Sequence, residues 1–345
     1  MADRRLVAAA LLAVATVMAL PVLPAAALAP MAQAPTAPTA RPFTPPSSSY
    51  RPPRTPWGDP DLMGVWDYQT VIRMQRPNDL ASRAKFADHM DYLVWAKANA
   101  PNRDSMGAGV GAYNEFWNER NFVPNLNTSL IIDPPDGRYP PLTPAAEARR
   151  KEIISNARAV ASWEDYHALE RCLATHTPNG PQAYNSGTYI MQSPGWVLIV
   201  RERLDTRVIP LDGRPHIGDN IRQWNGDSVG RWQGNTLVVE TTNFTDKQRM
   251  GGASGTSVPA GIPFGKFRVT EYFVPVSAKR IEYYATVEDS TTWTRPWTFN
   301  LPWERDEDYT ILEYACHEGN IALGNSMRGE RMLEAEAAKK REAGK

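Results

Sequence analysis

Cysteine is scarce in this 345-residue chain, with Cys172 and Cys316 the only two. Two cysteines 144 positions apart do not make the paired spacing of a zinc ribbon or related structural metal site. An excess of charge is also missing, because 38 basic residues meet 38 acidic ones. A duplex-binding surface needs surplus positive charge, so nucleic acid is not expected as a partner. Past the first 29 residues no run approaches the ~18 apolar residues of a membrane span, so no integral membrane segment is expected after processing. No G-x-S-x-G, P-loop or G-x-G-x-x-G stands in the strand–helix context that its chemistry needs. Serine-hydrolase, nucleotide-binding and Rossmann readings lose support with them, and no cofactor is expected. H-x-H and H-E-x-x-H are missing too. His216, Asp219, His317 and Glu318 are suitable ligand types without ligand spacing, so no metal is expected.

What is abundant is proline and large aromatics: 30 Pro, 11 Trp and 13 Tyr. Many prolines argue against long bundled helices, and Trp and Tyr favour pleated strands. The first 29 residues have the layout of a secretory signal peptide. Arg4 and Arg5 precede an uncharged apolar run, which ends in Ala25-Ala26-Ala27-Leu28-Ala29. Periplasmic or secreted localisation follows as the expectation, with an uncleaved anchor as the alternative. Residues 30–56 are rich in Pro, Thr and Ser, too poor in apolar area to fold alone, and read as a semi-rigid tether. In an oxidising compartment an even cysteine count suggests a Cys172–Cys316 disulfide, the alternative being two buried thiols.

Residues 57–327 are expected to form a single domain, with a helical insertion over 79–173 and a charged tail helix over 328–345. A helix is expected over 79–98, where Leu80, Ala84, Ala87, Met90 and Val94 recur near a 3.6 period. Thr143-Pro144-Ala145-Ala146-Glu147 is a helix start, with Thr at the N-cap and Pro at the first helical position. From residue 184 the period changes to two. Strands are expected at 65–72, 189–192, 196–204, 207–211, 229–232, 236–244, 267–274, 280–287, 293–300 and 310–317, separated by tight turns. This predicts a mainly β fold, an antiparallel meander closing into a calycin-like barrel, with a sandwich as the alternative. A barrel of about eight strands has room for one small ligand. Residues 251–265, rich in Gly, are read as a flexible insertion.

Polar side chains crowd residues 210–244: Asp212, Arg214, His216, Asp219, Arg222, Trp224, Asp227, Arg231, Glu240 and Asn243. His216 follows a strand and enters a loop, a place from which an imidazole can face a cavity mouth. Imidazole is the side-chain type suited to proton transfer near neutral pH, and capping of the loop is the alternative use. Asp227 stands in an Asn-Gly-Asp-Ser turn and either joins that chemistry or closes the turn. Arg222, Arg231 and Arg295 either clamp a carboxylate or pair with Asp219, Asp227 or Asp289. Trp224 and Trp297 either floor a pocket or fill the core. His317, on the last expected strand, shares a face with Glu313 and can meet His216. The candidate set is therefore His216, His317, Asp219 and Asp227 for catalysis. Arg222, Trp224, Arg231, Asn243, Arg295 and Trp297 are the candidates for ligand binding.

Several motifs together resemble a large family of exported bacterial proteins. They are Pro60-Asp61-Leu62 through Trp66, Asp133-Pro134-Pro135-Asp136-Gly137-Arg138, Arg171-Cys172-Leu173, Pro210-Leu211-Asp212-Gly213-Arg214-Pro215-His216, Gly226-Asp227-Ser228 through Trp232, Thr292-Trp293-Thr294-Arg295-Pro296-Trp297, and Tyr314-Ala315-Cys316-His317-Glu318-Gly319-Asn320. The Gly64-x-Trp66 pair is similar to a lipocalin opening. The resemblance implies export and names no reaction. The chain departs from the pattern at Gln233 and Asn235, where acids are expected, and at Arg268, where a His is expected. The function expected from the residues is small-molecule transformation by His-based acid/base chemistry in a barrel cavity, with lyase, isomerase and hydrolase open. The alternative is a non-catalytic periplasmic carrier or sensor.

Overall fold

A computed structural model describes residues 42–99, 122–156, 162–166, 168–173, 177–178, 180–182, 185–247 and 266–344. The expected signal peptide, the first part of the tether and the insertion 251–265 lie outside these residues.

Strand β1 (Gly64–Asp67) comes first, followed by α1 (His89–Asn99), β2 (Ile131–Asp133) and α2 (Pro144–Asn156). The meander then runs β3 (Thr188–Ser193), β4 (Trp196–Arg201), β5 (Asp205–Pro210), β6 (Asp227–Gln233), β7 (Thr236–Thr242), β8 (Arg268–Ser277), β9 (Arg280–Glu288) and β10 (Trp297–Arg305), and α3 (Ala322–Ala343) follows. The wall order is β5-β4-β3-β1-β10-β9-β8-β7-β6, all antiparallel. β2 shares with β1 the edge of β10 that β9 leaves open. The result is a nine-strand antiparallel sheet nearly closed into a barrel, with the helices outside the meander, as the change of period predicts.

Alternation decides which side chains face inward. On β3, Thr188 and Ile190 are buried while Tyr189 and Met191 are exposed. The closing seam lies between β5 and β6, which share no backbone ladder. Arg207 on β5 crosses it, reaching Ser228 on β6, Thr241 on β7 and Glu271 on β8. Strands that are not neighbours in the wall meet this way only through the interior, so these groups mark the inside. A Cβ added at Gly230 would stand 2.8 Å from side-chain atoms of Ile209 and Leu211, so glycine is what lets β6 approach β5 there.

The interior is filled, which corrects the expectation of a hollow. Trp66, Phe273, Tyr283, Phe299 and Trp303 are fully buried. Tyr283 stacks on Trp303 at 5.3 Å, and Phe273 meets the same ring edge-on at 5.4 Å. A barrel of this size holds either a small ligand or its own side chains. Large aromatics at inward positions select the second.

The outer face is covered in part. β10 is buried on both faces over residues 297–303, because the chain before β2 lies across it. Asn127 donates to Asn300 at 3.0 Å, and the Asn300 N–H donates to the Leu130 carbonyl at 2.9 Å. The described part of the expected tether, residues 42–56, is a strap on the sheet. Phe43 packs on Tyr272 and Tyr284, at 5.8 and 5.5 Å between ring centroids, and the Asn235 amide donates to the Tyr50 carbonyl at 3.2 Å.

Two local expectations are corrected. The helix over 79–98 starts only at His89, after a one-turn 3-10 helix at Asn78–Leu80. Between them residues 84–86 run alongside 126–128, with Phe86 N–H on the Leu126 carbonyl and Thr128 N–H on the Ala84 carbonyl. Tertiary hydrogen bonds override the periodicity there, and Asp88 caps the shortened helix by accepting from Asp91 N–H at 2.9 Å. The strand expected over 310–317 does not form, since 311–315 is irregular and 316–319 is a turn. Both edges of β10 are already occupied, which leaves no open edge beside it, and the disulfide to Cys172 holds Cys316 outside the sheet. Thr143 caps α2 as the sequence implies, its hydroxyl accepting from Ala146 N–H at 3.2 Å. The tail helix begins at Ala322, ahead of the expected 328, and buries no residue. Among the described residues no helix is long and apolar enough to cross a membrane.

Candidate functional site

The loop of residues 211–226 leaves β5 and folds back against the start of β6 and the end of β7. Its anchor is Asn243, in the left-handed region at φ 58°. Asparagine tolerates that conformation better than branched or bulky residues do. The Asn243 amide donates to the carbonyls of Ile217, Gly218 and Ile221 at 2.9–3.1 Å. Arg222 adds a bond of 3.2 Å to the Phe244 carbonyl. Gly226, at φ 69°, immediately precedes β6, and a Cβ there would lie 2.5 Å from the Thr242 carbonyl oxygen. Glycine is required at that turn, and the turn sets Asp227.

The loop delivers His216 to a pair of carboxylates. His216 Nδ1 is 2.7 Å from Asp227 Oδ2, which also accepts from Ile217 N–H at 3.2 Å. His216 Nε2 is 3.3 Å from Glu240 Oε1. Arg268 donates to the same Glu240 oxygen at 2.6 Å. By strand alternation Asp227 and Glu240 point away from the interior marked by Ser228, Thr241 and Glu271. The chain Asp227–His216–Glu240–Arg268 therefore lies on the outer face, with the His216, Asp227 and Glu240 side chains 20–28% exposed. Charge alternates along it whenever the ring is protonated. Burial raises the Glu240 carboxyl, but the bonds and charges of Arg268 and His216 outweigh that and hold it below its ordinary value of 4.5. A ring with both nitrogens protonated satisfies both carboxylates. A neutral ring leaves one contact without its proton, which is the condition for exchanging a proton with a third group.

The other candidates are distributed as follows. Arg231 is exposed on the same outer face, near Tyr272, whose hydroxyl burial raises above its ordinary value while the Arg231 charge offsets part of that rise. Asp219 is exposed on the loop and forms no salt bridge among the described residues. Trp224 faces Arg171, whose guanidinium lies 5.3 Å from the centroids of both Trp224 and Trp163. Arg295 pairs with Asp133 at 2.6 Å, not with Asp289, which instead caps its own turn through Thr291 and Thr292. Trp297 is a core residue, fully buried against Tyr139 and Trp293, so a ligand has no access to it. Asp212 is taken up by Arg214, whose hydrogen bonds push its carboxyl down to about 2. His317 is exposed in the turn after Cys316 and makes no contact with His216 among the described residues. The face it was expected to share with Glu313 disappears with the strand.

Cys172 and Cys316 stand at disulfide distance, 2.04 Å between sulfurs and 5.6 Å between Cα atoms. Among the described residues no group of three or more His, Cys, Asp or Glu side chains is placed to hold a metal ion.

Arg268 entered the sequence reading only as a departure from a motif, and its pairing with Glu240, 28 residues away, was not legible. The Arg207–Glu271 pair was also missed. The available clue was Glu271 sitting in phase with Val269 and Phe273 on an otherwise apolar face. Comparison with known protein families, with curated proteins and with solved structures finds no match for this chain.

Proposed function

We propose that this is an exported protein that transforms a small molecule by acid/base chemistry centred on His216. The observation that carries the reading is the 2.7 Å contact between His216 Nδ1 and Asp227, with Nε2 directed along a part-exposed outer face. Asp227 fixes the tautomer and the orientation of the ring, which leaves Nε2 as the atom that accepts or returns a proton. Glu240, ionised beside Arg268, is displaced from Nε2 when substrate enters, and Arg231 on the same face attracts an anionic substituent. The site sits on the rim and outer face of the wall rather than in its filled interior. Export rests on the Arg4-Arg5 leader pattern and on the cysteine pair at bonding distance, which suits an oxidising compartment. The motif set Pro210–His216 and Gly226–Trp232 supports kinship with the exported bacterial family it resembles.

The non-catalytic reading, a binding protein, draws on one observation: both His216 nitrogens already face protein carboxylates, as in a purely structural clamp. Turnover on a library of periplasmic metabolites separates the two. Under the enzymatic reading the wild type depletes at least one compound, His216→Ala abolishes that depletion, and His317→Ala leaves it intact. Saturable binding with no depletion by the wild type favours the binding protein.

A further inference from the structure

A second polar locus lies at the opposite end of the β6–β7 hairpin. There the strap of residues 42–56 passes the hairpin turn, and a groove of about 430 Å³ opens between them. Two guanidinium groups, Arg51 and Arg54, line this groove, and no carboxylate does. The Ser47 and Ser48 hydroxyls and the Gln233 and Asn235 amides complete its polar lining. Val274 and Pro275, both buried, lie beneath it.

Among the described residues no carboxylate compensates either charge. Arg54 donates to Asn235 Oδ1 at 2.9 Å and to the Gly58 carbonyl at 3.4 Å, and both acceptors are neutral. Arg51 pairs with no carboxylate among the described residues. Other guanidiniums do meet carboxylates, as in Arg207–Glu271, Arg268–Glu240, Arg280–Glu282 and Arg295–Asp133, although Arg76, Arg222 and Arg305 bond to neutral acceptors. Two unmatched guanidiniums facing one groove produce a local positive potential that an anion relieves. Asn235 also holds the strap through Tyr50, so Arg54 is pre-set rather than free to swing.

We propose that this groove binds a small organic anion, with a carboxylate or phosphate ester held by Arg51 and Arg54 and its organic body lying along the groove over Gly234 and Thr236. Planar guanidinium groups match both anionic head groups in bidentate fashion. The volume falls within the few hundred to about 1,000 Å³ typical of small-ligand sites. The groove is separate from the His216 chain, since Thr236 at the groove and Glu240 stand four residues apart on β7, about 13 Å of strand.

The test is titration calorimetry of the exported chain with benzoate, phthalate, phenyl phosphate and inorganic phosphate, at low salt and at high salt. At least one organic anion binds saturably at one site per chain, and more weakly at high salt. Benzoate and phthalate against phenyl phosphate decide which head group is preferred. Arg51→Ala weakens binding about tenfold, the scale of one charge-assisted contact. Asn235→Asp, which places a carboxylate on Arg54, weakens it comparably while both arginines remain, and His216→Ala leaves it unchanged. The proposal is overturned if no organic anion binds saturably. It is equally overturned if Arg51→Ala and Asn235→Asp both bind like the wild type while keeping its melting temperature, or if inorganic phosphate binds as tightly as phenyl phosphate.

Discussion

Arg207 and Glu271 form a doubly hydrogen-bonded ion pair at 2.6 and 2.9 Å inside the barrel, joining strands on either side of the seam that backbone pairing leaves open. Both side chains are almost wholly buried, and the Tyr283 hydroxyl donates to the same carboxylate at 2.8 Å.

Removing one member of this pair leaves the other charge buried and unmatched. Arg207→Met or Glu271→Gln is therefore expected to cost roughly 3–5 kcal/mol in denaturant unfolding. The double change Arg207→Met with Glu271→Leu recovers most of that loss, because apolar side chains of similar volume replace a desolvated pair at little net cost. A single variant within about 0.5 kcal/mol of wild type contradicts the seam assignment.

The Cys172–Cys316 link closes a loop of 144 positions. In the chain-entropy model its removal destabilises by roughly 4–5 kcal/mol. Urea unfolding of the oxidised chain against the Cys172→Ser, Cys316→Ser double variant measures this. Coincident midpoints show that the bond is not formed in the purified protein.

The turn before Asp227 depends on Gly226. Gly226→Ala places a methyl 2.5 Å from the Thr242 carbonyl in a left-handed conformation. The expected loss exceeds about 1 kcal/mol, and it also displaces Asp227 from His216. Gly234→Ala is a useful comparison, since it has a similar φ of 63° but its added methyl meets nothing within 4 Å. The difference between the two variants in thermal unfolding isolates the steric part.

Glu240 gives the site an acid limb. Its carboxyl lies below 4.5 in the folded chain, so the stability it contributes is fully present above that value and is lost as pH falls through the lowered one. Arg268 and His216 act on it directly, and the Tyr272 hydroxyl lies within its electrostatic reach. Arg268→Ala removes the strongest downward influence and leaves the upward effect of burial, so the Glu240 titration moves up. Carbon-detected NMR of the glutamate carboxyls reads this shift directly, and an unmoved resonance contradicts the pairing.

Much of the wall was legible because alternation of apolar and polar residues and Gly-containing turns are local properties. The 193–196 and 233–236 turns bound their strands as read. His216, Asp227, Glu240 and Asn243 drew attention together because they lie within 28 positions of one another. What alternation does not encode is which face points inward at a given strand, so Trp297 read equally as pocket floor or core. Nor does it encode whether an edge remains free to receive another strand, and the segment around His317 was assigned to the sheet for that reason. Partners distant in sequence, such as Arg268 for Glu240 and Arg207 for Glu271, are set by register across several strands.

The most direct test of the central claim, that Asp227 holds the His216 ring so that Nε2 exchanges the proton, is ¹⁵N NMR of the imidazole in the unliganded protein. The account predicts that the neutral ring of His216 carries its proton on Nδ1, and that Asp227→Asn redistributes it. A neutral ring protonated on Nε2, or a tautomer unchanged by Asp227→Asn in a folded chain, contradicts it.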